Sequence, residues 1–316
     1  MSTQNTMRAI SQDVLGGPEV LKEVEVERPA PRPNEVLVRV RAAGVNPTDW
    51  KHRATGRFLG EPPFILGWDV SGVVEATGTG VALFRPGDEV FGMLSYPFGQ
   101  GAHAQYVTAP ARTFAPKPAN IDHTQAAALP LVSLAAWQAL VETANVQPGQ
   151  RVLIHAAAGG VGHVAVQIAK ARGAYVIGTA SAGKHEFLRG LGADELIDYR
   201  ETDFATAVRD VDVVLDTIGG DYVHRSLRIL CKGGLLVTLV PKGSKELPVA
   251  AEKLGVRATE MLVDADHTGM KEIAALVEAG RLRATIAGTF PLAEAATAHA
   301  LGETGRTTGK LVLVVD

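Results

Sequence analysis

The chain has 316 residues, a hydrophobic content of 46% and 34 glycines, which suits two packed domains and excludes a disordered or low-complexity protein. A formal net charge of −3 with scattered basic residues argues against nucleic acid or an anionic membrane surface as the main partner. The polar N-terminus lacks an apolar signal region and no apolar run is long enough to span a membrane, so we expect a cytoplasmic protein.

The first 125 residues carry short strand signals separated by Pro and Gly, which is typical of an all-β domain. Residues 35–41 alternate apolar and polar side chains, and residues 70–75 form a second strand signal. A long helical stretch begins near Thr124 and leads to a strand signal that starts at Arg151.

Strand and helix signals alternate after this point, which predicts a parallel sheet. The signals are a strand at Tyr175, a helix from Lys184, a strand over 211–216, a helix from Tyr222 and a strand over 235–239. After Gly280, strand signals return at 283–286 and 310–315, with a helix that starts near Pro291 between them. We expect this C-terminal segment to rejoin the first domain.

A glycine-rich turn within residues 151–170 is the most informative segment, because an apolar strand ends there and a helix begins. Gly159 allows the backbone to approach a ligand, and Gly162 allows the helix to lie close against the sheet. The helix N-terminus offers N–H groups and a positive dipole end to phosphates. Ala157 replaces the first glycine of the usual fingerprint, and an ordinary tight turn is the alternative. The flanking strand and helix favour a dinucleotide site.

The end of the second strand indicates which dinucleotide is bound. Ala180 and Ser181 stand where an NAD enzyme places an acidic residue against the ribose hydroxyl, and Lys184 adds a positive charge nearby. A charge-assisted contact to a 2′-phosphate contributes about 1.5–3 kcal/mol, which predicts NADP(H). The same stretch nearly spells an ATPase phosphate loop, but His185 stands where Ser or Thr would hold Mg²⁺, which disfavours an ATPase.

Six segments carry a family resemblance. They are residues 44–49, 67–74, 85–90, 101–107, 156–162 and 215–220. Together they resemble the medium-chain dehydrogenase/reductase superfamily, in its zinc-free quinone oxidoreductase and enoyl reductase branch. The nucleotide half is also similar to the enoyl reductase modules of polyketide synthases.

The resemblance implies an α/β fold made of a GroES-like β domain and a Rossmann domain, a doubly wound parallel sheet. The implied domains are a GroES-like catalytic domain over 1–125 and 284–316 and an NADP-binding domain over 126–283. The active site is expected in the cleft between them, and the protein is expected to be a homodimer.

Zinc enzymes of the superfamily place a Cys where this chain has Asn46, and a His and a Glu where it has Trp68 and Asp69. The only cysteine is Cys231, so neither a thiolate zinc cluster nor an internal disulfide is expected. The resemblance therefore implies reduction without a metal. A hydride would pass to a quinone, or to the C=C bond of an α,β-unsaturated carbonyl, as the small-molecule substrate.

Three residues are candidates for the chemistry. The resemblance places Asn46 beside the nicotinamide, where its amide could donate to a developing oxyanion, although a local turn role is the alternative. Many quinone reductases and enoyl reductases carry a Tyr shortly afterwards, whereas this chain has Trp50, Lys51 and His52. Lys51 could supply the proton or be an exposed lysine, and Tyr96 could reach the pocket or only cover the substrate.

The resemblance also extends the cofactor site. Tyr199 and Arg306 join Ser181 and Lys184 around the 2′-phosphate and adenosine, while Ser133 and the Val240–Pro241 turn line the nicotinamide half. The complete predicted set is Ser133, Ala158, Gly159, Gly160, Val161, Gly162, Ser181, Lys184, Tyr199, Ile218, Val240 and Arg306.

Two other functions are compatible with the sequence. One is an NADPH-binding protein with little turnover that acts as a sensor, a regulator or a structural protein. The other is a zinc alcohol dehydrogenase, which stoichiometric zinc in the purified protein would indicate.

Overall fold

The computed structural model of the chain describes residues 5–240 and 246–316. Two compact units are present, one made of Met1–Leu131 and Asp264–Asp316 and the other of Val132–Val263. The predicted domain boundaries lie at 125/126 and 283/284, so the segments 126–131 and 264–283 fall in the first unit here. No helix in the described ranges has both the length and the apolarity needed to cross a membrane.

The strands are numbered along the chain. They are β1 (Thr6–Gln12), β2 (Lys22–Glu27), β3 (Glu35–Val45), β4 (Phe64–Ile65), β5 (Asp69–Thr77), β6 (Glu89–Met93), β7 (Tyr106–Pro110), β8 (Phe114–Pro116), β9 (Arg151–Ile154), β10 (Tyr175–Ala180), β11 (Glu195–Asp198), β12 (Val211–Asp216), β13 (Leu230–Thr238), β14 (Arg257–Glu260), β15 (Ile286–Pro291) and β16 (Lys310–Val314).

The α-helices are numbered in the same way. They are α1 (Pro47–Thr55), α2 (His123–Ala127), α3 (Pro130–Trp137), α4 (Gly160–Ala171), α5 (His185–Gly190), α6 (Phe204–Ala207), α7 (Asp221–Leu227), α8 (Glu246–Lys253), α9 (His267–Glu278) and α10 (Ala295–Glu303).

The first unit is built around a mixed sheet in the order β15-β16-β3-β5-β6-β8, with β7 also paired to β3. Strand β3 pairs with β5 with two register shifts, and such bulges bend and twist a sheet. The C-terminal strand β16 runs antiparallel to β3, with Leu311 opposite Val45. The start of β16 therefore lies beside the end of β3, from which helix α1 follows.

The second unit contains a parallel sheet in which six described strands follow the order β11-β10-β9-β12-β13-β14. Buried Leu153, Ile177, Val214 and Leu236 pack into its core, as expected for strands covered by helices on both faces. Numbered from β9, this is the 3-2-1-4-5-6 order of the Rossmann fold, and the strand order reverses between β9 and β12. The predicted fold class is confirmed.

Two element predictions were wrong in detail, and the helix predicted near Pro291 is confirmed. The helix expected from Thr124 is two helices, because Pro130 begins a new helix and cannot continue α2. Residues 283–285 of the strand expected at 283–286 form a loop, and the strand that pairs with β16 begins at Ile286 and runs to Pro291. The helix expected near Pro291 begins with a 3₁₀ turn over Leu292–Glu294 and becomes α-helical in α10.

Candidate functional site

The glycine-rich turn follows β9 and is fixed to the end of the neighbouring strand β10. The backbone N–H of Ala157 donates to the carbonyl oxygen of Thr179 at 3.0 Å. The N–H of Ala156 donates to the Thr179 hydroxyl at 3.2 Å. Ala156 adopts a φ of 47°, in the left-handed region, which reverses the chain into α4. The turn therefore has a defined backbone shape before any ligand binds.

Gly162 lies where the first turn of α4 passes over the preceding chain. A Cβ atom at this position would stand 2.4 Å from the carbonyl oxygen of Ala156 and 2.7 Å from the Cα of Ala157. Glycine is thus required for the helix to approach the turn backbone, rather than the sheet as the sequence suggested. The first N–H groups of α4, which include those of Gly160 and Val161, have no acceptor inside the helix. This geometry fits the pyrophosphate of a dinucleotide.

Asp216 closes β12 at the point where the strand order reverses, and it has no exposed surface. Its carboxylate accepts the N–H groups of Ile218 and Gly219 at 3.0 to 3.1 Å and the Thr238 hydroxyl at 2.7 Å. It thereby orders the loop of Ile218 and ties it to the end of β13. The sequence prediction did not assign Asp216 a role; the available signal was an acidic residue that ends an apolar strand.

Val240 follows β13 and belongs to the same edge of the sheet. Its N–H donates to the Thr238 hydroxyl at 3.2 Å. Gly219 approaches the Val240 side chain, since a Cβ on Gly219 would lie 3.0 Å from it. Pro241, the second residue of the predicted turn, lies outside the described residues.

Ser181 and Lys184 bracket a single 3₁₀ turn after β10, in which the Lys184 N–H donates to the Ser181 carbonyl at 2.9 Å. A residue of the neighbouring strand β11 fixes the same turn by hydrogen bonds. Asp198, at the end of β11, accepts the N–H of Ala182 at 2.9 Å and that of Arg200 at 2.9 Å. The backbone N–H groups of Arg200 and Ala182 lower the pKa of Asp198 through these hydrogen bonds, and the Arg200 N–H has the larger effect. A carboxylate therefore stands beside the predicted 2′-phosphate site, supplied by the third strand.

The remaining residues predicted to bind the cofactor lie in different parts of the structure. Tyr199 follows Asp198 and is about half exposed. The Arg200 guanidinium lies 5.9 Å from the centroid of its ring. Ser133 is buried within α3 in the second unit. Arg306 is exposed and follows α10 in the first unit.

Asn46 follows β3 and is the N-cap of α1, with its backbone N–H donating to Asp49 Oδ2 at 2.6 Å. Its Nδ2 donates to Asp69 Oδ2 at 2.8 Å, and its Oδ1 accepts from Lys310 Nζ. A carboxylate only accepts and an ammonium only donates, so these partners fix the orientation of the amide. Asn46 is 0% exposed, and its role as an oxyanion donor stays a prediction.

Lys310 opens β16 and is buried with its charged group inside the first unit. Besides Asn46, Nζ donates to the carbonyl of Val45 at 2.9 Å and lies 3.4 Å from Asp69 Oδ2. Burial lowers the pKa of Lys310, and burial raises the pKa of Asp49 nearby to about 7. Sequence reasoning missed Lys310. Its only signal was a lysine at the start of an apolar strand.

Lys51 and Tyr96 occupy different environments. Lys51 is exposed on α1. Tyr96 is half-buried in the loop after β6, and its hydroxyl lies 3.1 Å from the Thr48 hydroxyl on α1. The ring of Tyr96 belongs to an aromatic cluster with centroid separations of 5.1 to 6.4 Å. The members of this aromatic cluster are His52, Phe58, Trp68, Tyr96 and Phe98.

The aromatic cluster changes from buried to exposed across its width. Trp68 is completely buried, whereas Phe58 is 38% and Phe98 is 72% exposed. An exposed aromatic edge backed by buried rings can receive a flat apolar molecule. Across residues 5–240 and 246–316, no group of three or more His, Cys, Asp or Glu side chains is placed to hold a metal ion.

Comparisons with known proteins match both parts of the chain. A family model described as alcohol dehydrogenase GroES-like domain matches residues 32–119, and one described as zinc-binding dehydrogenase matches residues 191–313.

Whole-length relatives include a 2-haloacrylate reductase of Burkholderia sp., 37% identical over 322 residues that span 95% of this chain and 96% of the relative. The solved structure of the Coxiella burnetii quinone oxidoreductase has a TM-score of 0.93 and 39% identity, covering 98% of this chain and all of the other. The Escherichia coli quinone oxidoreductase, solved in complex with NADPH, has a TM-score of 0.88 and 31% identity, covering 97% and 99% of the two chains.

Proposed function

The chain belongs to the quinone oxidoreductase branch of the medium-chain dehydrogenase/reductase superfamily, and from that premise we propose that it is a zinc-independent, NADPH-dependent reductase. It is an oxidoreductase that acts on a small molecule with a nicotinamide cofactor. The proposed reaction is hydride transfer to a quinone or to the C=C bond of an α,β-unsaturated carbonyl. A homodimer is proposed on the family resemblance alone, and analytical ultracentrifugation tests it.

The observation that carries this proposal is the convergence of predicted cofactor residues at one edge of the parallel sheet. The glycine-rich turn, Ser181, Tyr199, Ile218 and Val240 follow the carboxyl ends of five strands. In open parallel sheets the ligand site lies outside these ends, where the strand order reverses. A dinucleotide is long enough to contact several such loops, with its pyrophosphate at the N-terminus of α4.

NADPH is favoured over NADH by the turn between Ser181 and Lys184. The hydroxyl and the ammonium can both donate to a 2′-phosphate. The Asp198 carboxylate opposes that preference, but its oxygens already accept the backbone N–H groups of Ala182 and Arg200. Two donors that follow β10, set against one occupied carboxylate at the end of β11, support a preference for the phosphorylated dinucleotide.

The acceptor is proposed to bind at the aromatic cluster of the first unit. Phe58 and Phe98 offer exposed ring surface, and Tyr96 adds a hydroxyl to the same cluster. Bound NADPH supplies a hydride to an electron-poor acceptor. The chain then has to stabilise the negative charge that develops on an oxygen and supply a proton. Tyr96 suits this task better than Asn46, because the Asn46 amide is enclosed by Asp69 and Lys310.

The test is a panel of quinones and α,β-unsaturated carbonyls, each mixed with the purified protein and either NADPH or NADH. We expect loss of dinucleotide absorbance that depends on the acceptor and is faster with NADPH. Tight NADPH binding without acceptor-dependent oxidation would contradict the proposal and favour a sensor, regulatory or structural protein. Metal analysis belongs beside the panel, because stoichiometric zinc would point to an alcohol dehydrogenase instead.

A further inference from the structure

A chain of three polar side chains links helix α1 to the loop after β6. His52 Nδ1 lies 2.7 Å from the backbone carbonyl oxygen of Thr48 and 3.1 Å from the Thr48 hydroxyl. The Thr48 hydroxyl in turn lies 3.1 Å from the hydroxyl of Tyr96. All three residues lie in the first unit, within the segment 1–131.

The carbonyl oxygen of Thr48 sets the direction of each hydrogen bond in this series of three side chains. A carbonyl only accepts, so the nitrogen 2.7 Å away must carry the proton of the His52 ring. That N–H also faces the Thr48 hydroxyl oxygen, which therefore presents a lone pair to it. The hydroxyl proton of Thr48 is left for its other neighbour, and Thr48 donates to Tyr96. The Tyr96 oxygen thus acts as an acceptor within the protein.

The other side of the imidazole offers no competing partner. His52 Nε2 is buried and has no hydrogen-bond partner in the part of the chain that the structure describes. Aromatic rings hold the imidazole instead, with centroids of Trp68 at 5.1 Å and Phe58 at 5.6 Å. Apolar surroundings strengthen the hydrogen bonds that remain and keep the ring in one orientation.

We propose that Thr48 and His52 are positioning residues that make the Tyr96 hydroxyl the proton donor to the acceptor oxygen. The Tyr96 oxygen already accepts from Thr48, so its own O–H bond remains available for a ligand. The inference rests on the proposed function. As the hydride adds, the acceptor gains two electrons from the bound dinucleotide, the Tyr96 O–H bond breaks and a new O–H bond forms on the acceptor. The resulting phenolate is stabilised by the Thr48 hydroxyl until water returns a proton.

A double-mutant cycle with a conservative rescue tests the inference. Thr48→Val removes the hydroxyl without changing side-chain size, whereas Thr48→Ser keeps it. With the best acceptor of the panel, Tyr96→Phe should lower kcat about 100-fold and Thr48→Val about 10-fold, with little change in KM for NADPH. Thr48→Ser should stay within about twofold of the wild type. The double variant Thr48→Val/Tyr96→Phe should match Tyr96→Phe alone, because Thr48 acts through Tyr96.

Independent effects of Thr48→Val and Tyr96→Phe in the double variant would overturn the inference, as would wild-type kcat in Thr48→Val. His52→Asn, which keeps an N–H near the Nδ1 position, should retain more activity than His52→Leu. The reverse order would also overturn it.

A second measurement does not depend on turnover, and it separates this inference from the proposed function. In protein with isotope-labelled tyrosine, the Tyr96 ring-carbon resonance beside the hydroxyl is identified by its loss in Tyr96→Phe. This resonance should move in Thr48→Val and stay in place in Thr48→Ser. A wild type without reductase activity that still shows this pattern would refute the function but keep the hydrogen-bond chain. An unmoved resonance in Thr48→Val would refute the hydrogen-bond chain from His52 to Tyr96.

Discussion

Lys184 carries the expected preference for the phosphorylated dinucleotide. We expect Lys184→Ala to weaken NADPH binding about 10- to 100-fold and to leave NADH binding nearly unchanged, because only the 2′-phosphate receives its charge. Isothermal titration with both dinucleotides measures the ratio of the two dissociation constants. Lys253→Ala is the matched control, since Lys253 is exposed in the last turn of α8, whose C-terminal end lies opposite the cofactor edge. Equal weakening for NADH and NADPH would remove Lys184 from the 2′-phosphate site.

Lys310 balances a carboxylate that has no exposed surface. Lys310→Met should lower the free energy of unfolding by about 3–5 kcal/mol, because Asp69 is left buried without a charged partner. The double variant Lys310→Met/Asp69→Asn should recover at least half of this loss. An asparagine at position 69 can still accept the Leu131 N–H through its side-chain oxygen.

Urea denaturation followed by circular dichroism gives these stabilities. Lys253→Met, on the protein surface, should change the free energy by less than about 0.5 kcal/mol. If the double variant were less stable than Lys310→Met, the buried charge pair would not be the cause of the loss.

The residue contacts of the first unit could not be predicted from local sequence. Lys310 and Asn46 are 264 positions apart, and Thr48 and Tyr96 are 48 positions apart. Only the folded sheet and the loop after β6 bring these pairs together. Ser181 and Lys184 could be predicted from local sequence, because both residues follow one strand and a single turn defines their separation. Local turns can be predicted from sequence, while a buried charge cluster depends on tertiary pairing.

Gly162 decides how closely α4 approaches the glycine-rich turn. A Cβ at this position would stand 2.4 Å from the carbonyl oxygen of Ala156, a backbone atom that cannot move without shifting the turn. Gly162→Ala should therefore destabilise the protein by about 1–3 kcal/mol and weaken NADPH binding at least 10-fold. Thermal unfolding and dinucleotide titration provide the two measurements.

Gly190 supplies the control for this helix prediction. It ends α5, and a Cβ there would meet no atom within 4 Å. Gly190→Ala should leave NADPH binding unchanged and stabilise the protein by about 0.4–1 kcal/mol, since alanine restricts the unfolded chain. Wild-type stability and affinity in Gly162→Ala would show that the turn can relax, and the steric argument would fail.

At the scale of elements, the prediction succeeded where apolar runs and turn residues agreed. Strand β12 was predicted over 211–216 and runs over Val211–Asp216. The failure at 283–285 has a physical cause, because a strand also needs a partner and β16 pairs with the following residues, Ile286–Pro291. Hydrogen-bond pairing between distant segments is absent from a local hydrophobic pattern.

Both units of the molecule bury neutral histidines, so its stability should depend on pH. Burial is the main cause that lowers the pKa of His103 and of His155 from 6.5 to about 4 and that of His299 to about 2. Below pH 6.5 the unfolded chain binds protons that the folded chain does not, and stability falls as the pH falls. Asp49 acts in the opposite direction, because burial raises its pKa from 3.8 to about 7 and protonation then favours the folded state.

These shifts predict lower stability at about pH 5 than at about pH 7.5, with roughly 2 kcal/mol lost per histidine and about the same returned by Asp49. Urea denaturation at the two pH values measures the difference. His155→Gln should reduce the pH-dependent loss by about 2 kcal/mol, because glutamine cannot gain the proton that the unfolded histidine binds. His224→Gln replaces an exposed histidine and should leave the loss unchanged. Equal or higher stability at the acidic pH would show that the buried histidines do not control acid unfolding.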